Sequence, residues 1–200
     1  MINQLIEELF AVDGARARWL NTMSFLEYVG FRKIVKCQDA REMTADMLRH
    51  AAEESRHALL MKRLAIKAGG SNFKGYERET LLCGDEAEAY FQNVDRETAE
   101  LLGPAAKTID VYLAVTWLIE VRALAVYAAY DRGCRQRGLV SGVEGLIAEE
   151  TRHLAEAERA LESVAPTWLR VKTKLIEMEE RACQRLLSAM SAEVACAVAV

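Results

Sequence analysis

Two pentapeptides carry the residue types best suited to chemistry, Glu53-Glu54-Ser55-Arg56-His57 and Glu149-Glu150-Thr151-Arg152-His153. They match at four positions and exchange Ser for Thr at the fifth. Each is preceded by a glutamate in an apolar setting, Glu27 after Ser24-Phe25-Leu26 and Glu120 after Trp117-Leu118-Ile119. The spacings are close, 27 residues from Glu27 to Glu54 and 30 from Glu120 to Glu150. With 23 glutamates in 200 residues, any position holds Glu about one time in nine. That two of the three histidines have Glu three residues before them is therefore a coincidence at about the per-cent level. Four carboxylates and two imidazoles make an oxygen-rich, nitrogen-supplemented ligand set, suited to iron or manganese.

Helical geometry selects which carboxylates matter, because residues i and i+3 share a face. Glu54 has His50, Ala51, His57 and Ala58 around it, and Glu150 has Leu146, Ile147, His153 and Leu154. Those two are predicted to point inward with their histidines. Glu53 has Arg49 at i−4 and Arg56 at i+3, and Glu149 has Arg152 at i+3, so both are predicted to face solvent. Glu27 is flanked at i±3 and i±4 by Met23, Ser24, Gly30 and Phe31, and Glu120 by Thr116, Trp117, Ala123 and Leu124. A core carboxylate without a cation costs several kcal/mol or takes up a proton. Metal cations resolve that difficulty.

Other residues admit two readings. His50, at i−4 from Glu54, is either a hydrogen-bonding or proton-relay partner of the ligands or a histidine satisfied at the end of the bundle. Thr116 and Tyr127 stand one turn before and two turns after Glu120, placed to support it. Tyr127, with Tyr28, Tyr112 and Tyr130, could serve redox chemistry or packing alone. Met43, Met47 and Met61 read as core, and Arg132, Arg135 and Arg137 as a solvated end.

The elements that must position these residues are helices. Ile2, Leu5, Ile6 and Leu9 mark a short amphipathic segment ending near Asp13-Gly14. A helix follows from about Ala15 to Cys37, with Leu20, Met23, Phe31 and Ile34 on one stripe, and then a turn near Asp39. The next runs from about Met43 to Gly69-Gly70. A crossover of about thirty residues, with a short helix over Glu86–Leu101, leads to Pro104. Pro104 is predicted to open a helix that ends near Asp131, followed by a non-helical stretch from Gly133 to Val140. Ser141-x-x-Glu144 reads as a capping box for a helix that stops before Pro166. A fifth long helix carries Trp168, Val171, Leu175, Met178, Ala182 and Leu186, followed by the apolar run Val194–Val200. The expectation is one all-α domain over 1–200, a four-helix bundle over about 15–164 with a long crossover and a C-terminal helix over about 166–190.

Composition agrees and excludes alternatives. The chain is 52% hydrophobic and 28% charged, with two prolines and a net charge of −4. It is too apolar for disorder, too acidic for general attraction to nucleic acid or anionic lipid, and too poor in breakers for a large β domain. The five cysteines are odd in number with no C-x-x-C pair, which points to small buried thiols in a reducing cytoplasm. Charges at Glu7, Glu8, Asp13, Arg16 and Arg18 do not suit a signal peptide. Glu120 and Arg122 interrupt the apolar stretch Val111–Tyr130, so a membrane span is not expected.

Glu, E-x-x-H, Glu, E-x-x-H on successive helices resembles the ferritin-like superfamily of carboxylate-bridged di-metal proteins. The resemblance covers about Ala15–Val164. It implies Glu27 and Glu120 as terminal ligands, Glu54 and Glu150 as bridges, and His57 and His153 binding one ion each. It implies two iron ions, with two manganese or a mixed pair as alternatives. A rubrerythrin-like peroxidase would need a cysteine metal site, which is lacking here, and a tRNA hydroxylase fits poorly with a charge of −4. The remaining expectation is an O2-activating oxidoreductase acting on a small or medium apolar substrate. It would take electrons from a separate donor, because no nicotinamide or flavin motif is present. A monomer or homodimer is expected. The alternatives are a ferritin-like ferroxidase or iron store, and a non-catalytic metal-binding bundle.

Overall fold

The computed structural model describes residues 1–37, 40–41, 43–164 and 167–198, and the side chains of all of these except Cys37, Val164 and Val198. Among them all regular structure is helical, with no strand. The helices are α1 (Ile2–Ala11), α2 (Ala15–Cys37), α3 (Ala45–Gly69), α4 (Gly84–Leu102), α5 (Thr108–Gln136), α6 (Glu144–Val164) and α7 (Trp168–Val198). Two 3₁₀ turns, Ser71–Phe73 and Arg78–Thr80, lie between α3 and α4. The turn predicted near Asp39, the stop before Pro166 and the last two residues of the apolar run fall outside the described residues. None of the helices is long and apolar enough to cross a membrane.

The chain forms two compact units. The first contains Met1, residues 3–88 and 186–200, and the second contains Ile2 and residues 89–185. In the first, α2 packs along α3. Its core holds Leu5, Ile6, Leu9, Trp19, Leu20 and Met61, from the apolar stripes of α1, α2 and α3, together with Leu82 of the crossover. Thr44 caps α3 by accepting from the Met47 N–H at 3.2 Å. Gly70, at φ +85°, ends it in a conformation open to glycine.

Residues 75–83 of the crossover are tied to α2 and α3 by buried polar bonds, which spare their backbone an unsatisfied burial. Asn21 Nδ2 donates to Thr80 Oγ1 at 2.9 Å and to Thr80 O at 3.1 Å. Thr22 Oγ1 donates to Leu82 O at 3.0 Å and accepts from Leu82 N–H at 2.8 Å. Lys62 Nζ donates to Gly75 O at 2.6 Å and lies 3.4 Å from the Tyr76 ring centroid. Burial pulls the Lys62 ammonium down to about 8, although Glu77 pulls it up.

In the second unit α5 packs along α6. Here the structure corrects several predicted boundaries. Pro104 lies in a turn rather than in a first helical turn, and α5 opens at Thr108, where Asp110 Oδ2 accepts from Lys107 N–H at 3.0 Å. The helix runs on to Gln136, so Gly133 is a buried interior position and not a loop residue. Ser141 does not form the predicted capping box, because its hydroxyl donates to Asp131 Oδ1 at 2.5 Å while α6 starts at Glu144. Glu179 on α7 is gripped by Arg122 Nε at 2.9 Å and Nη2 at 2.6 Å, and accepts from the Tyr90 hydroxyl at 2.6 Å. Burial, with Glu179 beside it, raises Tyr90 well above its usual range. Trp117 and Trp168 meet edge to face with centroids 4.9 Å apart.

Candidate metal centre

In the first unit, α2 supplies Glu27, and α3 supplies Glu54 and His57 one turn apart. All three are buried, with His57 only 2% exposed. One ligand atom from each lies within 4.8 Å of the other two. His57 Nδ1 is 3.6 Å from Glu54 Oε1 and 3.8 Å from Glu27 Oε2. His50, one turn earlier on α3, places Nε2 3.4 Å from the same Glu54 oxygen.

The helix contact that makes this possible is close. A Cβ added at Gly30, one turn beyond Glu27, would stand 3.1 Å from Glu54 Oε2. Any larger residue would press on that carboxylate, so Gly30 gives Glu54 its seat. Ser24, one turn before Glu27, donates to Ala58 O at 2.7 Å and shares a 2.9 Å hydrogen bond with the Tyr76 hydroxyl. Burial raises the Tyr76 phenol, its bond with Ser24 lowers it, and the charges of Tyr28 and Glu27 raise it further. Tyr76 also stacks on Tyr28 with centroids 5.7 Å apart.

In the second unit, α5 supplies Glu120, and α6 supplies Glu150 and His153. Their exposures are 4%, 1% and 3%, so this set is sealed more completely. His153 Nδ1 is 2.9 Å from Glu150 Oε2 and 3.7 Å from Glu120 Oε1. Glu120, Glu150 and His153 are each among the buried Glu and His side chains geometrically able to hold a metal ion, as are those of the first unit.

Each triad is thus brought together within its own unit, as inward-facing side chains. Glu53, predicted to face solvent, is buried at 7% exposure. It keeps its link to the exposed Arg56 at 3.8 Å, because a guanidinium on a long stem reaches in to the edge of the core. Glu149 is half-buried. Thr116 is half-buried and Tyr127 buried on α5. Three residues that shape the first triad escaped the sequence reading: Gly30 as a seat, Ser24 as a link, and Tyr76. Gly30 and Ser24 stood in plain view beside Glu27, but only tertiary packing reveals their partners. No protein-family model matches the chain, and neither does any curated protein or any solved structure.

Proposed function

We propose that the two triads act together to hold a pair of transition-metal ions in a ferritin-like arrangement. On this reading the protein is an oxidoreductase that activates O2 to oxidise or hydroxylate a small or medium apolar substrate. The observation that carries it is repetition: the same Glu and E-x-x-H, on a packed helix pair in each unit, with all six side chains buried. One such triad suits one ion. Two copies of it suit a pair.

Glu27 and Glu120 would be terminal ligands, Glu54 and Glu150 bridges, and His57 and His153 would bind one ion each. Iron fits this donor set, and two manganese ions or a mixed pair fit it as well. When bound, the metal pair supplies the one-electron steps that O2 reduction needs. The chain supplies charge balance, because four carboxylates offset the four positive charges of two divalent ions. Burial strengthens that attraction by lowering the local dielectric. Gly30 admits the Glu54 carboxylate, and the small buried residues Ala51 and Ala58 flank the first E-x-x-H. Electrons would come from a separate donor.

The test is anaerobic loading with ferrous ion followed by O2, with absorbance, O2 uptake and particle size read on the same sample. The reading predicts a monomer or dimer whose iron uptake saturates near two per chain and whose iron is oxidised promptly. A many-chain shell taking up iron far beyond that ratio would favour the storage alternative. A small oligomer that binds two ions yet never reacts with O2 would favour a non-catalytic bundle.

A further inference from the structure

His50 is the one imidazole that the duplicated motif does not explain. Its counterpart four residues before Glu150 is Leu146, an apolar residue 2% exposed. His50 is not at the periphery, since its side chain is only 14% exposed and its Nε2 faces Glu54 Oε1 at 3.4 Å. That separation is long for an N–H···O hydrogen bond, which centres on about 2.9–3.0 Å. It fits two donors sharing one ion: ligand atoms each about 2.1 Å from a metal stand about 3.0–3.4 Å apart at ordinary bond angles.

Glu54 Oε1 lies 3.4 Å from His50 Nε2 and 3.6 Å from His57 Nδ1, and that His57 nitrogen stands 3.8 Å from Glu27 Oε2. That oxygen of Glu54 thus has an imidazole from the turn before it and another from the turn after it on α3. We propose that His50 is a direct metal ligand, a seventh protein donor that makes the two metal positions chemically unequal. This rests on the di-metal reading above. His57 serves the ion it shares with Glu27, and His50 serves the other. Together with one histidine from the second motif, the pair would then carry three imidazoles, divided one and two. An added nitrogen donor favours iron over manganese, which stands lower in the affinity order. The two positions should therefore load in sequence and differ in metal preference.

The experiment uses the full chain, stripped of metal and titrated anaerobically with Fe2+ and separately with Mn2+. Imidazole nitrogens per metal are counted by X-ray absorption or pulsed EPR. The variant His50→Leu installs the residue that the second motif already carries. The expected result is two resolved affinities for Fe2+ in the wild type, with one weakened at least 10-fold in the variant and the other kept. The imidazole count should fall from three per pair to two. Unchanged affinities with an unchanged count would overturn the proposal, as would loss of both ions from a folded variant. His50→Gln, which keeps the polarity of the site, serves if His50→Leu fails to fold. Failure of the di-metal reading looks different: the wild type itself would not bind two ions, or Glu54→Ala would still bind both.

Discussion

Around Glu54 the separations are long and the neighbours small or polar, whereas around Glu150 they are short and apolar. His57 Nδ1 stands 3.6 Å from its motif glutamate, while His153 Nδ1 stands 2.9 Å from its own. Where the first unit has His50, Gly30 and Ser24, the second has Leu146, Ala123 and Trp117. A repeated motif can thus keep its ligand types while the packing that orients them diverges. The second triad is held by bulk and a short contact. The first is held by hydrogen bonds, a glycine seat and a crossover segment that α2 and α3 tie down. The second unit also carries the Arg122–Glu179 pair, with Glu179 buried and Arg122 half-buried, on helices that form no part of the first triad.

The comparison breaks first at the ligands. Glu54→Ala and His153→Ala should each remove at least one metal ion, an effect larger than the ~10–100-fold typical of losing an outer partner. Glu53→Ala should leave metal content intact, measured by metal analysis on chelator-stripped and reloaded protein. Equal losses from Glu53→Ala and Glu54→Ala would erase the distinction between inward and outer carboxylates.

Next in size are the effects on stability. Arg122→Leu strands Glu179, which is 3% exposed, and should cost about 3 kcal/mol, read as a lowered midpoint in chemical denaturation. Metal at a hundredfold excess over Kd should add about 2.7 kcal/mol, and so raise Tm by roughly 5–10 °C for a chain of this length. Metal should also restore part of what Arg122→Leu loses.

Gly30→Ala sharpens the contrast between the two seats. Alanine in a helix interior is favoured over glycine by about 1 kcal/mol, so the metal-free variant should be as stable as the wild type or more so. Its metal affinity should nonetheless fall roughly 10-fold, as for a lost supporting partner. Ala123 already carries that methyl in the second unit, and Ala123→Gly should leave affinity near its wild-type value. Calorimetric titration of both variants checks the pair.

The smallest expected effect concerns Lys62. Its folded-state value of about 8 lies below the ordinary 10.5, so between those pH values the unfolded chain binds more protons than the folded one. Wild-type stability should therefore rise relative to Lys62→Met as pH goes from 8 to 10.5, because the cost of the buried charge is being relieved. A stability difference that is flat or falls over that window would contradict the burial of this ammonium.

The all-helical class was legible from periodicity and the scarcity of breakers, and the apolar stripe of the last long helix was legible from Trp168 to Leu186. Boundaries set by tertiary contacts were not. Gly133 reads as a break, yet α5 continues through it because the position is buried and needs no side chain. Ser141 reads as a cap, yet Asp131 claims its hydroxyl. At the site, the spacing of Glu54 and His57 marked a shared face, and Glu27 and Glu120 stood out for having only uncharged residues three and four positions away on their own helices. Glu53 was misread because a pairing rule for exposed helix faces says nothing of depth. Arg122 and Glu179, 57 residues apart, meet only through the packing of α5 and α7.

The central claim is that two copies of one motif, each a buried triad in its own unit, serve one pair of ions. Anaerobic ferrous titration of stripped wild-type protein, alongside Glu27→Ala and Glu120→Ala, tests it most directly. The prediction is saturation at two ions per chain in the wild type, with either substitution reducing uptake at one position and disturbing the other. Two ions lost independently, each variant leaving its remaining ion with wild-type affinity and spectrum, would mean two separate mononuclear sites and would contradict the claim.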